Sequence, residues 1–251
     1  MTQPENPTII LIPGAWHQAS TYEPVAALLR AQGYPAHTLT LLSSGGPTST
    51  TVADDAAYIR DTLLADLVAQ GKEVVLALHS YSGVAGSESV RGLARRDLAA
   101  QGKPGGVVAL VYVSGFMLRA GQTVDSFLGG VGNVIVFEGN KAIMTDPVSK
   151  FYADLDPESA VRAAAAIQYH AKPTFFTPLT YEAYRDVPAT YLLCEGDRAI
   201  PLKAQQKMVD AVGDIVQTRV CAAGHSPMLA MPQTVAEVII GAARAGSATK
   251  L

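Results

Sequence analysis

Apolar runs recur along the chain at 8–12, 36–41, 74–78, 107–113, 190–194 and 216–220. They are short and bounded by turn residues, and they read as strands covered on both faces, as in a parallel sheet. Between them the stretches 22–32, 52–70, 83–101, 201–212 and 234–244 read as helices. Strands alternating with helices predict an α/β fold: a doubly wound, mainly parallel sheet of about six strands.

One interval breaks this rhythm. More than 70 residues separate Val113 from Thr190, far beyond an ordinary connection. The interval is rich in aromatics and has its own helical pattern near 156–169. The reading is therefore a core made of 1–116 and 188–251, with 117–187 inserted as a cap. Phe151, Tyr152, Phe175 and Phe176 are its candidates for lining a substrate pocket.

Composition narrows the class. At 251 residues the chain can bury one large core, and 49% hydrophobic against 16% charged residues argues for a globular protein. Net charge is −3, and Arg91, Arg95 and Arg96 are the nearest thing to a basic cluster. At helical spacing they read as a solvated face, so nucleic acid is not an expected partner. No membrane partner is expected either, because no stretch approaches the roughly 18 apolar residues of a span. Residues 1–7 carry no secretory pattern, so a cytoplasmic location is expected. Cys194 and Cys221 end apparent buried strands and read as structural thiols. Two cysteines without clustered histidines cannot complete a zinc shell, so no metal site is expected.

Three polar residues stand just beyond apolar strands. Ser80 ends Leu76-Ala77-Leu78-His79-Ser80-Tyr81-Ser82-Gly83, a strand running into a small-residue turn. Asp197 follows strand 190–194, and His225 follows strand 216–220 within Ala223-Gly224-His225. The order nucleophile, acid, histidine is that of α/β-hydrolases. A serine hydroxyl needs a fixed position and an adjacent base to attack, which a strand–turn–helix elbow and His225 would supply. Asp197 would hold the imidazole in its tautomer. Ser82 is the rival nucleophile and Glu195 the rival acid. The backbone N–H groups of Ala15 and Tyr81 are the candidate oxyanion donors, with Trp16 in reserve. Trp16, His17 and His79 are candidates for supporting the site from behind.

The chain resembles the small α/β-hydrolases that include plant methylesterases, hydroxynitrile lyases and microbial esterases. The likeness rests on Ile10-Leu11-Ile12-Pro13-Gly14-Ala15-Trp16-His17, His79-Ser80-Tyr81-Ser82-Gly83, Glu195-Gly196-Asp197-Arg198-Ala199-Ile200-Pro201 and Gly224-His225-Ser226-Pro227-Met228. It implies the α/β-hydrolase fold, Ser80, Asp197 and His225 as the triad, and Ala15 and Tyr81 as oxyanion donors. Two departures are visible. Leu78 stands where the family elbow usually has glycine, and Ser226 stands where the lyase branch has lysine, the nearest downstream lysine being Lys250. The expected activity is cofactor-free hydrolysis of a small carboxylic ester, lactone or thioester through an acyl-Ser80 intermediate. The alternatives are a non-hydrolytic lyase or isomerase of secondary metabolism, or a ligand receptor on the same fold. A small ester-type molecule is the expected partner. A homodimer is compatible with the sequence, and no motif specifies one.

Overall fold

A computed structural model of the chain describes residues 5–131 and 135–249. Residues 1–4 and Lys250 lie outside the described residues. The strands in chain order are β1 (Thr8–Ile12), β2 (Ala36–Thr38), β3 (Glu73–His79), β4 (Gly106–Val113), β5 (Ile135–Glu138), β6 (Lys141–Met144), β7 (His170–Ala171), β8 (Ala189–Cys194) and β9 (Val216–Cys221).

Six of them form one sheet in the order β2-β1-β3-β4-β8-β9, with every neighbouring pair parallel. Side chains alternate between its faces because the strand repeat is two residues. Ile10, Leu76 and Leu110 enter the core on one face, and Ile9, Val75 and Val111 enter the core on the other. Burial on both faces holds for the central strands β1, β3, β4 and β8. It fails at the edges: β9 is exposed from Gln217 to Val220, and β2 is buried only at Ala36. An edge strand has one neighbour and thinner cover, so its apolar content need not be continuous.

Two expected elements come out differently. The strand expected over 36–41 stops at Thr38; Leu39 still donates to Leu11 C=O, but Thr40 then accepts Ala19 N–H through its hydroxyl. The helix expected over 83–101 is two helices, Ser82–Ser89 and Arg95–Ala99. Between them Gly92 adopts φ +73°, Val107 N–H donates to Leu93 C=O at 2.8 Å, and Ala94 bridges to Val107. The start of β4 thus captures backbone that a continuous helix would have used. Each of the three arginines is held in an ion pair. Arg91 pairs with Glu88, Arg95 with Glu73, and Arg96 with Asp186.

The segment between β4 and β8 builds a small antiparallel sheet, β5-β6-β7, which the sequence pattern does not signal. Its strands have only two to four residues and are partly exposed, too short for a clear alternation. The helix expected near 156–169 is Pro157–Ala166. Asp156 caps it by accepting Ser159 N–H at 3.0 Å, and proline occupies its first turn. Among the described residues no helix is long and apolar enough to cross a membrane.

Candidate active site

The register sets the C-terminal ends of β3, β4, β8 and β9 side by side, with His79 opposite Val113, Val113 opposite Leu192, and Cys194 opposite Cys221. Residues just past these ends therefore share one edge of the sheet. Ser80, Ser114, Asp197 and His225 are such residues.

Ser80 turns the chain from β3 into the helix Ser82–Ser89 with φ +52°. This left-handed conformation is uncommon for a side-chain-bearing residue. Trp16 (φ +68°) and Ser114 (φ +41°) complete the described non-glycine residues with positive φ. All three lie around one site, where backbone strain tends to concentrate. The elbow is braced by Ser80 C=O, which accepts Gly83 N–H at 3.1 Å and Phe116 N–H at 2.9 Å. Gly14 lies against it, and a Cβ there would sit 2.6 Å from Ser80 Cβ. Only glycine lets the loop after β1 approach the serine this closely.

Ser80 Oγ is 3.2 Å from His225 Nε2, and His225 Nδ1 is 2.8 Å from Asp197 Oδ2. All three residues are at most 6% exposed. Asp197 Oδ1 accepts the N–H groups of Ala199 (2.7 Å) and Ile200 (2.8 Å). Its Oδ2 also accepts Ser114 O–H and, at 3.4 Å, Gln205 N–H. These donors fix the position and orientation of the carboxylate beside the imidazole. The phenyl ring of Phe151 stacks on His225 with centroids 5.2 Å apart.

The rival residues are placed elsewhere. Ser82 Oγ is fully buried and bonded to the carbonyls of Ile12 (2.7 Å) and His79 (2.9 Å). Glu195 is exposed, and its backbone N–H donates to Cys221 C=O.

His79 and His17 connect the parts. Gly14 N–H donates to His79 Nδ1 at 3.1 Å, so the ring proton sits on Nε2 and is donated to His225 C=O at 2.8 Å. One imidazole thus ties the β1 loop to the histidine loop, and burial together with the neighbouring His225 and His17 holds its pKa well below the ordinary value. His17 donates from Nδ1 to Ala15 C=O (2.7 Å) and accepts Tyr152 O–H at Nε2 (2.9 Å). Burial lowers its pKa to about 4. Neither ring lies within hydrogen-bond range of Ser80 in this arrangement.

Hydrogen bonds that fix the β1 loop use the N–H groups of Gly14, Trp16 and His17 and leave Ala15 N–H out. Trp16 N–H faces His170 Nδ1 at 3.5 Å, which takes it away from a reserve oxyanion role. Tyr81 N–H is likewise absent from the bonds bracing the elbow. The Tyr81 side chain is anchored behind the site, donating its O–H to Asp55 at 2.9 Å. Asp55 also accepts both donors of Ser43, and burial raises its pKa to about 6.

A cavity of about 210 Å³ opens beside Ser80 and His225. Its wall is largely apolar, with Val124, Ile135, Met144, Phe151 and Phe175 supplied by the segment between β4 and β8. Of the four aromatic candidates, Phe151 and Phe175 line it. Tyr152 turns away to His17, and Phe176 is 42% exposed beside Phe137. Phe151 and Phe175 thus face the cavity while their chain neighbours Tyr152 and Phe176 face elsewhere. Cys194 and Cys221 are buried and free, their sulfurs 3.7 Å apart. Among the described residues, no group of three or more His, Cys, Asp or Glu side chains could hold a metal ion.

A model described as the alpha/beta hydrolase family matches residues 9–238. The chain belongs to that family. It is 33% identical to the alpha/beta hydrolase nvfD of Aspergillus novofumigatus, over 94% of this chain and 96% of that protein. It is 27% identical to the pyrethroid hydrolase of Sphingobium wenxiniae, over 92% of this chain and 85% of that protein. The crystal structure of a pyrethroid hydrolase from Sphingobium faniae superposes with a TM-score of 0.76 at 24% identity, covering 97% of this chain and 99% of that one. The last comparison concerns the fold alone.

Three residues that reach this site stand outside the reading of the sequence. Ser114 and Gln205 reach Asp197 from β4 and from the helix Leu202–Val212. Asp154 accepts Gly224 N–H at 2.6 Å, next to His225. Ser114 directly follows an apolar strand, as Ser80 does. Gln205 and Asp154 follow no pattern that a single sequence reveals.

Proposed function

We propose that this alpha/beta hydrolase cleaves a small carboxylic ester, lactone or thioester through an acyl-Ser80 intermediate and draws on no cofactor. The observation that carries the reading is the Ser80–His225–Asp197 chain of contacts at 3.2 and 2.8 Å beside an apolar cavity. Ser80 Oγ attacks the carbonyl carbon while His225 Nε2 takes its proton. The resulting oxyanion is received by the N–H groups of Ala15 and Tyr81, each worth roughly 2.7–4 kcal/mol in such a role. His225 then returns the proton to the departing alcohol, and a water activated by the same nitrogen releases the acid. The segment 117–187 serves as the cap, supplying most of the apolar wall. Kinship with hydrolases of different names supports the reaction type and leaves the substrate to the pocket.

The test is a panel of short and medium 4-nitrophenyl esters with wild type, Ser80→Ala and Ser82→Ala, together with a fluorophosphonate probe mapped by mass spectrometry. Loss of turnover in Ser80→Ala with the label on Ser80 is the expected result. A label on Ser82, or full activity in Ser80→Ala, would overturn the assignment.

A further inference from the structure

Beyond Ser80, Tyr81 and His225 the cavity wall is apolar save for two charged residues, and both are cationic. Lys150, at the end of the helix Pro147–Phe151, and Arg198, in the turn after β8, both contribute to the lining. No acidic side chain lines the cavity among the described residues. Nor does the charged end of either residue have an ion-pair or hydrogen-bond partner among them. Among the other described arginines, Arg30, Arg91, Arg95, Arg96, Arg162 and Arg185 are paired with carboxylates, whereas Arg60 and Arg219 bond backbone carbonyls. Lys150 is half-buried and Arg198 exposed, so each cation is free to meet a charged group on a bound molecule. An anion on the bound molecule would supply the missing partner, with bonds stronger than those to a neutral group.

The two cations also flank the chemistry. Lys150 directly precedes Phe151, whose ring stacks on His225. Arg198 directly follows Asp197 and precedes Ala199, whose N–H holds that carboxylate. We propose that the cavity selects esters whose apolar body carries a second, anionic carboxylate, such as the half-ester of a dicarboxylic acid, and that Lys150 and Arg198 determine this specificity. The inference takes its reaction from the ester-hydrolase reading and its anion from the cavity lining alone.

The experiment compares matched esters differing in one carboxylate. On the acyl side the pair is 4-nitrophenyl hemiglutarate and 4-nitrophenyl valerate; on the alcohol side it is 4-acetoxybenzoate and 4-methylphenyl acetate. The expected result is at least about a tenfold kcat/KM preference for the anionic member of one pair, carried mainly by KM. Lys150→Glu and Arg198→Glu should each shrink or reverse that ratio, whereas Lys150→Arg should keep it. Ser80→Ala, titrated with the same pairs by calorimetry, reads recognition without turnover. Equal kcat/KM within both pairs, or ratios untouched by both charge reversals, would overturn the proposal and leave hydrolysis by Ser80 standing. Charge-dependent binding without turnover of any ester would retain the anion site and remove the ester-hydrolase reading.

Discussion

Asp197 accepts five hydrogen bonds, and only one comes from the imidazole. The others decide where the carboxylate points, and Ser114 is the donor most easily removed. A hydrogen bond to a charged group is worth about 1.5–3 kcal/mol, so Ser114→Ala should lower kcat by roughly ten- to a hundredfold with little change in KM. Asp197→Asn should cost far more, about 10⁴-fold in kcat, because the amide favours the wrong imidazole tautomer. Glu195→Gln should stay within about twofold, since an exposed side chain outside the site contributes little. Steady-state kinetics of the three variants on one ester checks all of this. An effect at Glu195 comparable to that at Asp197 would reverse their assignment. At this scale Ser80, Asp197 and His225 were legible because each lies just beyond a strand, which fixes them all to one sheet edge. Tyr152 and Phe176 were not separable from Phe151 and Phe175, because the aromatic content of a segment says nothing about the turn of its helices.

The pairing of β3 with the helix Ser82–Ser89 explains the bulkiest departure from the elbow pattern. Leu78 is fully buried, and a Cβ at Gly86 would lie 2.3 Å from its Cδ2. The volume absent from Gly86 is thus occupied by Leu78, so the two positions act together. Leu78→Ala should destabilise by about 2–5 kcal/mol through the cavity it leaves. Gly86→Ala should cost about 1–3 kcal/mol by overpacking, reduced by the helical preference of alanine. In the double variant the added methyl sits where leucine was removed, and its cost should fall short of the sum by about 1 kcal/mol or more. Urea unfolding of the four proteins measures the coupling; strict additivity would show that the contact does not govern the packing. The central strands were readable because burial on both sheet faces leaves continuous apolar runs. The break at Gly92 was not, since it depends on β4 capturing the backbone of Leu93 and Ala94. Nor were β5 to β7, whose two to four residues leave the period undetermined.

For the molecule as a whole, assembling the site buries ionisable groups that the unfolded chain exposes, and stability must follow pH accordingly. Burial lowers His17 to about 4, His170 to about 3, and His79 well below its ordinary value. Between about pH 4 and 6.5 the unfolded chain binds a proton at each of these histidines and the native protein does not, so each contribution is present above 6.5 and lost as pH falls. Asp55 works in the opposite direction. Its pKa is raised from 3.8 to about 6, so the native state holds a proton there that the unfolded chain has released, and its contribution is lost as pH rises through 6. Near pH 5 the balance is about two more protons on the unfolded chain, a slope of about 2.7 kcal/mol per pH unit. Against a typical net stability of about 5–15 kcal/mol, this predicts that moderate acid unfolds the protein. Denaturant titrations at pH 7, 6, 5 and 4 should show stability falling at each step, and His170→Gln should roughly halve the slope near pH 5. Asp55→Asn should steepen it, because the opposing proton is then absent. Stability that is flat from pH 6 to 4 would mean that these histidines are accessible to protons in the native state, and that His79 does not join the two loops as a neutral ring.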